Sequence, residues 1–233
     1  MQNTICLEPI AYIRTDFKEK FGIPRQSGLV DALLGRIIFE PKFRSMDALR
    51  GIEMYSHLWL LWRFHQVAEE EDEKEFHPTV RPPRLGGNTR LGVFATRSPF
   101  RPNHMGLSCV TLEKIEMSTP QGPVLWVRGA DLLDRTPIYD IKPYLPYVDS
   151  YPNASGGFAD QAKGYKLSVK CSSEILERVP EEKRKALLEV LELDPRPSYH
   201  KDSERVYGFC FADMEIKFCV IGACLQIVDI QQK

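Results

Sequence analysis

Between His57 and His65 the chain alternates with a period of two: Leu58, Leu60, Trp62 and Phe64 fall on one face, and His57, Trp59, Leu61, Arg63 and His65 on the other. Strand side chains alternate between two faces, whereas a helix repeats every 3.6 residues, so this segment reads as a strand, buried at its start and polar at its end. Further short runs read as strands over Ile5–Ile13, Arg36–Glu40, Leu91–Thr96, Leu107–Glu116, Val124–Ala130 and Ile138–Lys142. A loop is expected over Phe17–Gly28 and a helical turn over Met46–Glu53. Many short strands divided by Pro and Gly turns favour a barrel or sandwich over a βαβ sheet.

The texture changes around Pro152–Gly157. Glu181–Leu193 carries Leu187, Val190 and Leu191 at helical spacing behind Pro180, and Pro195 stops it. Val206–Ala212, Glu215–Ile221 and Cys224–Ile230 then read as a three-stranded meander. The expected architecture is mainly β: a β domain over residues 1–150, then a small α+β unit over residues 158–233. With 233 residues and 43% hydrophobic positions, the chain can bury a real core.

Charge excludes one broad class. Lys and Arg number 31 against 32 Asp and Glu, a net −1, so a basic protein that coats nucleic acid is ruled out and any RNA contact must come from a local patch. The opening residues, MQNTICLEPIAYIR, lack the basic-then-apolar layout of a secretory signal. No apolar run approaches the roughly 20 residues needed to cross a bilayer, so a soluble, cytoplasmic protein without membrane contact is expected. Without a secretory signal, Cys6, Cys109, Cys171, Cys210, Cys219 and Cys224 are expected as reduced thiols, and the lack of a Cys-x-x-Cys pair argues against a zinc or iron–sulfur site.

Residues 76–112 hold Arg81, Arg84, Arg90, Arg97 and Arg101 but no Asp, Glu or Lys. This window therefore carries +5, while the remaining 26 basic and 32 acidic residues leave −6 elsewhere. Arg suits bidentate contact with phosphate or carboxylate and stacking on bases, and the interleaved Pro and Gly make the stretch loop-like. An anion or RNA surface is one reading. The other is ordinary pairing with acids such as the Glu69–Glu75 run.

Three smaller polar clusters stand out. Asp134-Arg135-Thr136-Pro137, followed by Asp140, Lys142 and Tyr144, is either a turn capped by its own side chains or a ligand loop. Pro24-Arg25-Gln26 lies in the loop after the first strand, and His65-Gln66 ends an aromatic strand as a hydrogen-bonding edge. Familiar chemistries are missing from the pattern. There is no Gly-x-Gly-x-x-Gly after a strand, no Walker loop, no Gly-x-Ser-x-Gly elbow and no His-x-x-x-His pair.

Taken together, Phe21-Gly22-Ile23-Pro24-Arg25-Gln26, Ser56-His57-Leu58-Trp59, Phe64-His65-Gln66, Arg81-Pro82-Pro83-Arg84-Leu85-Gly86-Gly87-Asn88, Val93 to Asn103, and Asp140-Ile141-Lys142-Pro143-Tyr144 closely resemble the TsaA-like (YaeB/TrmO) family. Asp194-Pro195-Arg196-Pro197-Ser198-Tyr199 looks like that family's C-terminal signature, so the resemblance covers nearly the whole chain. Two departures are visible. Asp134-Arg135-Thr136-Pro137 stands where the family has Asp-Gly-Thr-Pro, and Arg101-Pro102-Asn103-His104-Met105-Gly106 where it has Arg-Pro-Asn-Pro-Ile-Gly.

The resemblance implies an S-adenosylmethionine-dependent tRNA methyltransferase built on a single-sheeted β-barrel instead of a Rossmann core. It implies N6-threonylcarbamoyladenosine beside the anticodon of threonine tRNAs as substrate, and a homodimer with the cofactor near the subunit interface. By position, the implied cofactor contacts are Pro24, Arg25, Gln26, His65, Gln66, Arg97, Leu107 and Asp134, Arg135, Thr136 and Pro137. Asp140 is the expected general base, with Asp134 as substitute; the alternative for either is a structural carboxylate bonded to turn amides. Arg81, Arg84, Arg90 and Arg101 are expected to face the anticodon arm, with Arg196 and Lys201 extending the track from the C-terminal unit. Trp59, Trp62, Phe94 and Phe100 are candidates for the dimer contact, their alternative being ordinary core. The rival function is a non-catalytic nucleotide- or anion-binding module, which the Arg-rich window alone equally allows.

Overall fold

The computed structural model describes residues 5–67, 76–85, 88–162, 164–196 and 202–233. The Glu69–Glu75 run, Gly86, Gly87, Ser198, Tyr199 and Lys201 lie outside the described residues, as does the side chain of Arg84. In chain order the strands are β1 (Ala11–Arg14), β2 (Leu34–Phe39), β3 (His57–Arg63), β4 (Thr79–Val80), β5 (Leu91–Gly92), β6 (Met105–Glu116), β7 (Val124–Arg128), β8 (Pro137–Pro143), β9 (Ser168–Lys170), β10 (Tyr207–Phe211), β11 (Met214–Ile221) and β12 (Cys224–Gln232). The long helix α1 spans Glu181–Glu192.

Six strands close into a barrel in the order β1-β2-β7-β6-β3-β8, and β8 pairs back to β1. Every barrel pair is antiparallel. The alternation in β3 does what its pattern demands: Leu58, Leu60 and Trp62 point inward beside Ile13, Ile37, Leu125, Val127 and Ile138. Their neighbours His57, Trp59, Leu61 and Arg63 are half-buried on the outside.

Two expected strands lose half their length or more. The first runs only from Ala11, because Ile5 and Leu7 are exposed and have no face to bury. The run Leu91–Thr96 keeps two residues of strand and then turns over Val93–Ala95, where the Thr96 amide and hydroxyl both donate to the Val93 carbonyl. The Met46–Glu53 segment forms two 3-10 turns, at Asp47–Leu49 and Ile52–Met54.

A second sheet has the order β10-β11-β12-β9, antiparallel except for β12 against β9. The apolar face of α1 (Ala186, Leu187, Val190 and Leu191) is buried in its core. That core is not made of C-terminal residues alone. Phe17, Val30 and Leu33, from the long excursion between β1 and β2, are buried in it, and Phe17 meets Phe211 edge-on at 5.5 Å. Polar links sew the same excursion down: the Ala212 amide donates to the Asp16 carbonyl, Lys183 pairs with Asp16 at 2.5 Å, and the Cys210 amide donates to Glu19 at 2.5 Å. The C-terminal unit is thus the mould on which the Phe17–Leu33 loop is cast.

Candidate active site

β6 outruns its neighbour. β7 stops at Arg128, opposite Thr111, so Met105 to Val110 have β3 on one side and no strand on the other. The β1–β2 excursion fills that edge. The Cys109 amide donates to Ser27 Oγ at 3.2 Å, and the Gly28 amide donates to the Gly129 carbonyl at 2.9 Å. Backbone donors at a buried edge need partners, and the loop supplies them.

This docking carries Pro24, Arg25 and Gln26 to the end of the barrel where β3 finishes and β6 and β8 begin. The loop's geometry depends on Gly22, whose φ is +96° and whose absent side chain leaves room for the Phe209 ring. Pro24 is buried, while Arg25 and Gln26 are half-exposed. Arg97 Nη1 donates to Gln26 Oε1, so two segments 71 residues apart in sequence meet here. His65 and Gln66 follow β3 directly at this end, and Phe64 is tied to the start of β6 by its amide bond to the His104 carbonyl, 2.8 Å. Leu107 projects from β6 and is exposed.

The Asp134–Pro137 turn is stitched to β1. The Asp134 amide donates to the Phe17 carbonyl and the Arg135 amide to the Ile13 carbonyl, both at 2.7 Å. Asp134 Oδ1 accepts from Arg14 Nε at 2.8 Å and from the Thr15 amide at 3.0 Å, so this carboxylate is committed to holding β1. Thr136 is buried, with its hydroxyl on the Leu133 carbonyl. Arg135 alone projects, at φ +64°, the left-handed conformation that a glycine adopts without strain. The second departure is also absorbed: His104 is buried, and its Nδ1 bonds the Pro99 carbonyl at 2.9 Å, pinning the 99–104 loop.

Asp140 lies on the outer face of the barrel, across Leu61 from Leu107: it is opposite Leu61, which is itself opposite Leu107. Its Oδ1 accepts from the Ile141 amide, and Lys142 Nζ is 3.7 Å from its Oδ2.

The residue that local sequence does not reveal is Asp131. It follows β7 beside the unpaired half of β6, and its Oδ1 accepts the Ser108 hydroxyl at 2.6 Å. Ser108 in turn accepts the indole N–H of Trp62 at 2.9 Å. Trp62 is positioned by Gly106, because a Cβ there would lie 2.4 Å from the ring. Burial raises the Asp131 pKa above its ordinary value, against the opposing pull of Ser108, Arg97 and nearby backbone amides. A desolvated carboxyl within reach of a cation and two polar loops has the character of a functional group. Its partners lie 23 residues away and more, so only the closed barrel assembles them.

The Arg-rich window forms a small hairpin. Val80 is paired with Leu91, and the next residues, Arg81 and Arg90, leave the ladder together, both exposed and without an ion pair among the described residues. Phe76 and Phe94 stack at 6.3 Å and are both exposed. Arg101 is half-buried, with one amine on the Thr96 carbonyl. Arg196, expected to extend the basic track, is turned inward. Its side chain is 11% exposed and grips Asp194 through two bonds, at 2.8 and 2.9 Å, so its charge is matched internally. Its carbonyl accepts from Arg25 at 3.3 Å, so the C-terminal signature backs the candidate cofactor loop. Trp62 is core, Trp59 is half-buried with its indole N–H on Asp149, and Phe94 and Phe100 are exposed. No helix among the described residues is long and apolar enough to cross a membrane, and no group of three metal-ligating side chains occurs among them.

Comparison with known proteins agrees with this layout. A model of the tRNA-methyltransferase O N-terminal domain matches residues 12–150, and a model of the TrmO C-terminal domain matches residues 164–233. The chain is 41% identical over 234 residues to the tRNA (adenine(37)-N6)-methyltransferase of Escherichia coli (strain K12), covering 97% of both proteins. It is 43% identical over 221 residues to a putative S-adenosylmethionine-dependent methyltransferase, RcsF, of Pseudomonas aeruginosa, covering 91% of each. The crystal structure of TrmO from P. aeruginosa superposes with a TM-score of 0.79 at 35% identity, covering 100% of this chain and 99% of that one.

Proposed function

Because the chain belongs to the tRNA-methyltransferase O family, we infer that it is an S-adenosylmethionine-dependent methyltransferase acting on N6 of adenosine 37 in tRNA. The observation that carries this reading to particular residues is the Gln26–Arg97 contact, which joins two of the family's motifs at one end of a barrel. The finer reading is that the target adenosine already bears a threonylcarbamoyl group, in threonine tRNAs, and that the protein meets the anticodon arm as a cytoplasmic homodimer. Exposed Phe94, Phe100 and Leu107 beside the site support a self-contact there. Residues 1–150 hold the cofactor, and residues 158–233 assist tRNA binding while shaping the cofactor loop.

The residues present suit such a cofactor. Gln26 and Gln66 offer amide donors and acceptors for the adenine edge, and Arg97 an exposed guanidinium. Pro24, Arg25, His65 and Leu107 line the same end, and the Asp134–Pro137 turn closes it through its backbone. Bound there, S-adenosylmethionine supplies an electrophilic methyl group on a positively charged sulfur. The protein's part is alignment, so a rigid barrel end suits it. As N6 gains the methyl group it must lose its proton, and Asp140 Oδ2 takes it. Two features support Asp140 over Asp134: it is half-exposed, and it lacks the Arg14 and Thr15 bonds that occupy Asp134. Arg81, Arg84, Arg90 and Arg101 face the RNA, and an Arg fork receives the carboxylate of the threonylcarbamoyl group.

The test is to incubate the purified protein and labelled cofactor with tRNA that has, or lacks, the threonylcarbamoyl group. Labelling of the modified tRNA alone is expected. Equal labelling of both removes recognition of the modified base, and labelling of neither leaves a binding module.

A further inference from the structure

Asp131 is, among the described residues, the one carboxyl whose pKa is clearly raised. Its hydrogen bonds come from neutral groups, the Ser108 hydroxyl and the backbone amides of Ser27 and Asp131 itself, and Ser108 is in turn held by the Trp62 indole. Arg97 is near enough for its charge to favour the ionised form of Asp131, yet the two make no ion pair among the described residues. Arg97 is fixed by a neutral partner too, Gln26. One anion and one cation therefore stand at the same barrel end, each oriented by neutral groups and neither cancelling the other.

We propose that this pair holds the zwitterionic amino-acid head of the methyl donor, with the ammonium on Asp131 and the carboxylate on Arg97. The proposal rests on the cofactor reading above and adds which end of the donor each residue takes. A desolvated carboxylate gains most from an arriving full positive charge, which ribose hydroxyls cannot supply. A guanidinium matches a carboxylate with two parallel N–H donors. Asp134, the other carboxylate of this barrel end, already carries Arg14.

Two uncharged-sulfur thioether analogues of the donor separate the head from the rest. S-adenosylhomocysteine keeps the amino-acid head, and 5′-methylthioadenosine has the same nucleoside and sulfur without it. Calorimetry on the intact protein should show a preference for S-adenosylhomocysteine. In Asp131→Asn, which keeps an acceptor for Ser108, that preference should fall by on the order of tenfold or more, with 5′-methylthioadenosine affinity unchanged. Arg97→Gln, at an exposed position, should do the same and serves if the Asp131 variant does not fold. Affinities for both compounds falling in parallel would place Asp131 against the nucleoside, and an unchanged preference in either variant would remove the clamp. Wild-type protein that binds neither compound overturns the cofactor reading and the clamp together, an outcome distinct from the other two.

Discussion

Gly22 lies so close to Phe209 that a Cβ on it would come within 2.4 Å of the ring carbon Cδ2. The contact joins the candidate cofactor loop to the C-terminal sheet, so a lesion on either side reaches the other. Gly22→Ala meets both a left-handed backbone and a ring with no room to move. Strain of about 1–2 kcal/mol from the backbone and about 1–3 kcal/mol from overpacking are expected. Denaturant melts measure the loss, and calorimetry with S-adenosylhomocysteine should show weaker binding in the same variant. A variant with wild-type melting and binding would break the link between sheet and loop.

Asp131 should trade stability against function. Its folded pKa is raised above the ordinary 3.8 by burial, so its stabilising contribution is complete below that value and is lost as pH climbs through the folded pKa. Without cofactor, Asp131→Asn should therefore melt higher than wild type at pH 7.5, with the gap closing near pH 4. Thermal scans at the two pH values decide it. A lower melting temperature at pH 7.5 would mean that the carboxylate is matched in the fold after all.

Asp134 and Asp140 should part company. Asp134→Asn weakens charge-assisted bonds to Arg14 and the Thr15 amide, a loss of about 1.5–3 kcal/mol of stability. Asp140→Asn should keep its melting temperature and lose turnover. Full turnover in the Asp140 variant would exclude it as the proton acceptor.

The Arg81 and Arg90 pair should act through salt. Arg81→Glu with Arg90→Glu should weaken tRNA binding and flatten its salt dependence by roughly 0.7–0.9 in log–log slope for each phosphate that the arginines neutralise, while S-adenosylhomocysteine binding stays put. Arg196→Ala should instead lower stability, since it strips the partner from Asp194. Titrations of tRNA at two salt concentrations, beside thermal melts, tell the two kinds of arginine apart.

Local pattern was enough for much of this. Leu58, Leu60 and Trp62 are buried as their alternation required, and α1 ends within a residue of where Pro195 implied. Pattern failed where a segment's fate depends on distant chain. Val93 and Phe94 read as strand, but one is buried and the other 74% exposed in a tight turn. Asp131 carries no local signal, because Ser108, Trp62 and Arg97 reach it only through the barrel's register. Sequence places Arg196 on the basic track without showing its pairing with Asp194, a residue at φ +53°. The resemblance pointed to the Pro24–Gln26 loop, while the reason that loop holds its shape lies near the other end of the chain.

The location of Phe17, Val30 and Leu33 bears on how this protein can be taken apart. A cut anywhere between residues 150 and 164 looks harmless, since it falls between two sheets. It would nonetheless strand three apolar side chains on the first fragment and leave the second with part of its core uncovered. The two pieces are complementary surfaces, so each should recruit the other when mixed, and regained cofactor binding would report their union. A split protein whose halves together shape the candidate cofactor loop is a consequence of placing that loop on a core shared between them.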